Sequence, residues 1–140
     1  MPDLERRFTI RANDFVNAGE VSLEIQSILK HIGFNSSLIR RISVCAYESE
    51  MNVVMHGGDG QLSVEIDSDT LVMEICDNGP GIADIEKAMQ AGFSTASDEH
   101  REMGFGAGMG LPNMKKNSNE ITFTSDQGRG NRVKMRFHLS

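Results

Sequence analysis

Two hydrophobic periods alternate along the chain. Arg6 to Arg11 alternates apolar and polar residues around Phe8 and Ile10, which predicts a short strand. Phe15, Val21, Ile25, Ile28 and Leu29 then recur at helical spacing, so a helix is expected from Asn13 to Gly33, with Gly33 as its stop. Asn35 or Ser36 can cap a second helix that reaches His56 and ends at Gly57-Gly58. Gln61 to Asp67 and Leu71 to Cys76 predict two strands around a short turn at Ser68-Asp69. Asp77-Asn78-Gly79-Pro80-Gly81 breaks the chain, and a short helix is expected over 83–91. Leu111 to Asn117 predicts another helix. Glu120 to Ser125 and Arg132 to Leu139 predict the last two strands, joined through Gly128-Arg129-Gly130.

Neighbouring strands joined by tight turns imply antiparallel pairing, with the helices collected on one face. The expected fold is therefore an α/β (α+β) two-layer sandwich with a mostly antiparallel sheet. Residues 92–110 fit no regular period. They carry several glycines beside the charged patch Asp98-Glu99-His100-Arg101-Glu102, the composition of a functional loop or lid.

The length of 140 residues predicts one domain, residues 1–140. Fourteen basic against twenty acidic residues give a net charge of −6, which speaks against a nucleic-acid binder. Residues 92–140 run the other way, with seven bases against five acids. No apolar run approaches twenty residues, so no membrane span is expected. The first ten residues are charged and do not resemble a signal peptide. Cys45 and Cys76 lie far apart without a CxxC motif, as in a reduced cytoplasmic chain.

Three segments carry candidate chemistry. In the second helix Glu48, Asn52 and His56 recur every fourth residue and share a face, with Cys45 on the same side. A carboxylate there suits a general base, and an amide oxygen suits a hard cation; a plain solvated face is the alternative. Glu50 points to the opposite side and reads as a solvated charge or a surface ion pair. In the second segment an apolar strand ends at Asp77, where a carboxylate at a pocket rim can accept from the exocyclic amine of a purine. Gly79 and Gly81 allow the backbone close to a flat ring; an Asx turn is the competing reading. In the third, Gly104, Gly106, Gly108 and Gly110 alternate just before a helix start, an arrangement that suits a phosphate chain. It is neither a P-loop, lacking Gly-Lys-Ser/Thr, nor GxGxxG, because Met109 and Leu111 stand where the third glycine belongs.

In this order the three segments resemble the GHKL ATPase domain shared by gyrase, Hsp90, histidine kinases and MutL, whose architecture is the Bergerat ATP-binding fold. The resemblance runs from Phe8 to Leu139. The short form is most similar to bacterial anti-sigma-factor and switch serine/threonine protein kinases, and Gly92-Phe93-Ser94-Thr95 adds to the likeness. The resemblance implies ATP and Mg²⁺ as cofactors. It makes Glu48 the carboxylate that activates the acceptor hydroxyl, and Asn52 the magnesium ligand. It makes Asp77 the adenine-reading acid with Gly79 and Gly81 beside the ring. The four alternating glycines match the lid around the phosphates, and Ser94 and Thr95 either line that lid beside the nucleotide or cap a turn. Asn131 stands after Gly130 where the family commonly has a threonine, and its amide can still hydrogen-bond near adenine. His56 matches a histidine that is more often structural than catalytic.

The implied activity is phosphorylation of an anti-anti-sigma (STAS-type) protein within a partner-switching module. A sigma factor is a second implied partner, and a homodimer is the family expectation. The alternatives are a non-catalytic ATP-binding module that sequesters its partner, and a detached histidine-kinase-like catalytic domain. Cys45 and Cys76 are both expected to be core thiols, and Met103, Met109 and Met114 to pack around the lid helix.

Overall fold

A computed structural model describes residues 3–56, 58–78, 110–126 and 130–139. The helix expected over 83–91 lies outside them, as do Gly79, Gly81, Ser94, Thr95, Gly104, Gly106 and Gly108. The described elements are β1 (Leu4–Ile10), α1 (Glu20–Ile32), α2 (Ser36–His56), β2 (Gly60–Ile66), β3 (Thr70–Asp77), α3 (Gly110–Asn117), β4 (Glu120–Asp126) and β5 (Gly130–His138).

Five strands form one sheet in the order β1-β2-β3-β5-β4, with every neighbouring pair antiparallel. The α+β expectation is met. Alternation sets the sheet's two faces: Leu62, Val64 and Ile66 of β2, Leu71, Met73 and Ile75 of β3, and Val133, Met135 and Phe137 of β5 are buried. These side chains meet Ile25 and Leu29 of α1 and Ile42, Val53 and Val54 of α2 in one core. Each fully buried aliphatic side chain contributes about 1.5–3 kcal/mol. Cys76 belongs to the outward-facing set of β3 and is only half-buried, so its assignment to the core is corrected. A strand's period of two puts it opposite Ile75.

α2 begins as expected. The Asn35 side-chain oxygen accepts the Leu38 N–H at 2.8 Å, an N-cap bond. Gly33 ends α1 with φ 99°, and its N–H donates to the Leu29 carbonyl. The turn between β2 and β3 is held by Asp67, whose carboxylate accepts the Asp69 and Thr70 N–H groups at 2.8 and 2.7 Å. Those bonds hold the Asp67 carboxyl below the usual range.

α1 starts at Glu20 rather than Asn13. Asn13 adopts φ 63°, and the Asp14 carboxylate accepts from the Asn17 N–H, so residues 13–19 form turns instead. The apolar spacing continues through them, but the backbone does not.

Among the described residues, no helix is long and apolar enough to cross a membrane.

Candidate functional site

α3 lies antiparallel along α2, and a run of contacts sets their register. Near the start of α2 the Arg41 Nε donates to the Asn117 carbonyl at 3.0 Å, at the C-terminal end of α3. One turn later, Cys45 Sγ donates to the Met114 carbonyl at 3.7 Å, and Ser49 Oγ meets Met114 Sδ at 3.5 Å. Then Asn113 Nδ2 donates to Glu48 Oε1 at 3.2 Å. The N-terminal residue of α3, Gly110, arrives between Glu48 and Asn52. A Cβ built on Gly110 would stand 3.2 Å from Asn52 Oδ1 and 3.4 Å from Glu48 Oε2.

Two oxygens from adjacent turns of α2 therefore face the start of a helix. The first N–H groups of a helix have no intrahelical acceptor, and the macrodipole makes that end partly positive. The shared face expected for Glu48 and Asn52 is present, and the glycine expected to approach a phosphate chain is the residue that meets them. Glu48 is half-buried. Burial raises its carboxyl above the ordinary value, partly opposed by the hydrogen bond from Asn113. A raised carboxyl is a stronger proton acceptor once ionised.

The second part of the site lies at the ends of β3 and β5. Asp77 and Asn131 are cross-strand partners, on the same sheet faces as Ile75 and Val133. Asn131 Nδ2 stands 3.3 and 3.4 Å from the two carboxylate oxygens of Asp77. The residue that departs from the expected threonine is thus a direct partner of the acid. Gly130 carries φ 104°, and a Cβ there would overlap the Asp77 backbone carbonyl. Only glycine fits both conditions.

Gly60 joins the two parts. A Cβ on it would stand 3.0 Å from Val53 Cγ2 and 3.3 Å from Asp77 Cβ. The end of β3 is thereby brought against α2 one residue beyond Asn52. Sequence reading missed this glycine, because it opens an unremarkable strand. It also missed Asn113, which lies beyond the glycine run. A position three residues into the following helix was the one available signal.

The chain matches, over residues 37–140, the family described as histidine kinase-, DNA gyrase B- and HSP90-like ATPases. It belongs to that family. Among curated members, this ATPase-family chain is 32% identical over 112 residues to a serine/threonine-protein kinase, RsbT, of Bacillus subtilis (strain 168), covering 77% of this chain and 78% of that one. It is 33% identical over 102 residues to an anti-sigma F factor of Thermoanaerobacter sp. (strain X514), covering 69% and 68%. Among solved structures, the RsbU and RsbW domains of Rv1364c from Mycobacterium tuberculosis align over 96% of this chain with a TM-score of 0.62 and 16% identity. The chain spans 32% of that longer protein, and the likeness is one of fold.

Glu50 departs from expectation. It is not a solvated charge but 2% exposed, on the α1 side of α2. Its carboxylate accepts three backbone N–H groups at the start of α1: Gly19 at 3.0 Å, Val21 at 3.3 Å and Ser22 at 3.0 Å. It acts as the N-terminal cap of a neighbouring helix. His56 is the last residue of α2.

The donor set near Gly110 suits Mg²⁺ in kind. Asn52 Oδ1 is a hard oxygen of the kind Mg²⁺ takes, and it faces Gly110 at the start of α3. Among the described residues, no group of three His, Cys, Asp or Glu side chains converges on a point. Mg²⁺ commonly takes one or two protein oxygens and completes its shell with phosphate oxygens and water. An open groove of about 700 Å³ reaches Glu48 and Asn113 from between α1 and α2, with Gln26, Arg40 and Tyr47 among its walls.

Proposed function

We propose that this chain is an ATP-dependent serine/threonine protein kinase that phosphorylates an anti-anti-sigma (STAS-type) protein in a partner-switching module. A sigma factor is the second partner, held when the STAS-type protein is phosphorylated. The observation that carries the reading is the meeting of Glu48, Asn52 and Gly110 at the start of α3. The kinase and anti-sigma relatives support it. The activity belongs to the cytoplasm, where ATP is supplied.

In this reading Asp77 accepts from the exocyclic amine of adenine, with Asn131 against its carboxylate. Gly79 and Gly81 approach the ring. Ser94, Thr95, Gly104, Gly106 and Gly108 enclose the phosphates, and the N–H groups at the start of α3 bind the γ-phosphoryl oxygens. Asn52 holds Mg²⁺, which neutralises phosphate charge when bound. Glu48 takes the proton of the acceptor hydroxyl. That oxygen bonds to the γ-phosphorus as the bond to the β,γ-bridging oxygen breaks, and ADP leaves.

Titration with ATP, with and without Mg²⁺, tests the nucleotide site. Asp77→Asn should weaken binding under both conditions. Asn52→Ala should weaken it only with Mg²⁺ present. No binding by the wild type at millimolar ATP would end the reading. Radiolabel transfer from γ-labelled ATP to a STAS-type protein of the same genome tests the chemistry. Glu48→Gln should reduce transfer to a small residual rate with ATP still bound. Binding without transfer by the wild type would favour a sequestering module.

A further inference from the structure

Glu48 has two oxygens, and the structure distinguishes them. Oε1 accepts the Asn113 amide at 3.2 Å. Oε2 faces the α3 N-terminus, 3.4 Å from a Cβ built on Gly110 and on the same side as Asn52 Oδ1. A carboxylate on a half-exposed glutamate ordinarily rotates among rotamers and about its last torsion. One donor fixed on a rigid neighbour removes that freedom.

The neighbour is rigid for reasons independent of Asn113. Met114 is fully buried and Leu111 nearly so. Arg41 donates to the Asn117 carbonyl and to Asn119 Oδ1. Asn117 Nδ2 in turn donates to the Asn113 carbonyl at 2.8 Å, fixing the backbone that bears the amide. Loss of one half-exposed hydrogen bond would leave these contacts in place.

We propose that Asn113 is a positioning residue for phosphoryl transfer: its side-chain N–H holds Oε1 of Glu48 so that Oε2 is the oxygen offered to the acceptor hydroxyl. This rests on Glu48 being the base, as proposed above. Asn113 itself touches neither nucleotide nor acceptor. Its loss therefore lowers the rate of transfer and leaves binding alone.

The test measures the ATP dissociation constant, the KM for the STAS-type acceptor, kcat and the thermal midpoint for Asn113→Ala and Asn113→Asp, alone and combined with Glu48→Gln. Misplacement of a catalytic group by about 1 Å costs up to about 100-fold, so Asn113→Ala should lower kcat about 10–100-fold. ATP affinity and acceptor KM should stay within about twofold, the scale of ordinary surface changes. Asn113→Asp keeps the shape but sets a second carboxylate against Glu48, and should be slower than Asn113→Ala. In the Glu48→Gln background neither change should lower the residual rate further, because both act through one group. An unchanged kcat overturns the proposal. So does a fall in kcat matched by lost ATP affinity or lost stability in both variants, which would make Asn113 purely structural. If Glu48→Gln alone keeps full transfer, the assignment of the base fails, whatever Asn113 does.

Discussion

Glu48 and Glu50 stand two residues apart on α2 and face opposite ways. The Glu48 carboxylate is half-buried against α3, while that of Glu50 is buried against the start of α1. At about 100° per residue, two steps turn a side chain by about 200°, to the opposite side of the helix. One helix thus carries its candidate base on one side and its structural anchor on the other.

Glu50→Ala should destabilise the fold by about 2–4 kcal/mol, because three N–H groups at the start of α1, one buried and two part-buried, lose a buried charged acceptor. Glu50→Gln should lose less, since its carbonyl oxygen still accepts. Urea unfolding of the ligand-free protein measures both. A change below about 0.5 kcal/mol for the alanine variant would mean the cap carries no weight.

Gly130→Ala combines an unfavourable φ with overlap of the Asp77 carbonyl. It should cost about 2 kcal/mol or more. The strain falls at Asp77, so ATP affinity should fall along with stability. Unfolding and ATP titration on the same sample separate the two effects. Full ATP affinity in this variant would detach the β5 end from the nucleotide site.

Burial pushes the Cys45 thiol up to about 12, with no solvent-exposed surface left on the residue. The folded state keeps its proton where an unfolded chain would lose it. Stability from this group is therefore complete below about pH 8.5, the ordinary thiol value, and is lost as the pH rises from there towards 12. Cys45→Ala should show a shallower alkaline loss of stability than the wild type. In native protein at pH 8 a thiol-reactive label should reach the half-exposed Cys76 and spare Cys45. Rapid labelling of Cys45 would contradict its burial under Met114.

Arg41→Ala should cost about 1 kcal/mol and leave the C-terminal carbonyls of α3 to water. Faster amide exchange in residues 111–117, with α1 unaffected, is the expected pattern. Uniform acceleration across the chain would mean that Arg41 supports the whole fold rather than the α2–α3 pair.

Much of the architecture was readable from spacing. The strand at Gln61 to Asp67 alternates cleanly, because one face of the sheet is buried. The α2 boundary was readable because an Asn35 cap acts on the residues next to it. The start of α1 was not. Its apolar period reaches back to Phe15, but the helix waits for the carboxylate of Glu50, thirty residues downstream. The outward placement of Cys76 was legible in the alternation, yet its apolar neighbours masked it.

The sequence by itself determined the local elements and the shared face of Glu48 and Asn52, since helix and strand periods act within a few residues. It also supplied the order of motifs that led to the ATPase family. Only the tertiary structure decided which oxygen of Glu48 is held, which helix Glu50 caps, and why Gly60 and Gly130 are glycines. Each of these depends on a contact between groups distant along the chain. Such contacts are set by how the helices and strands pack, and no spacing rule within one element encodes them.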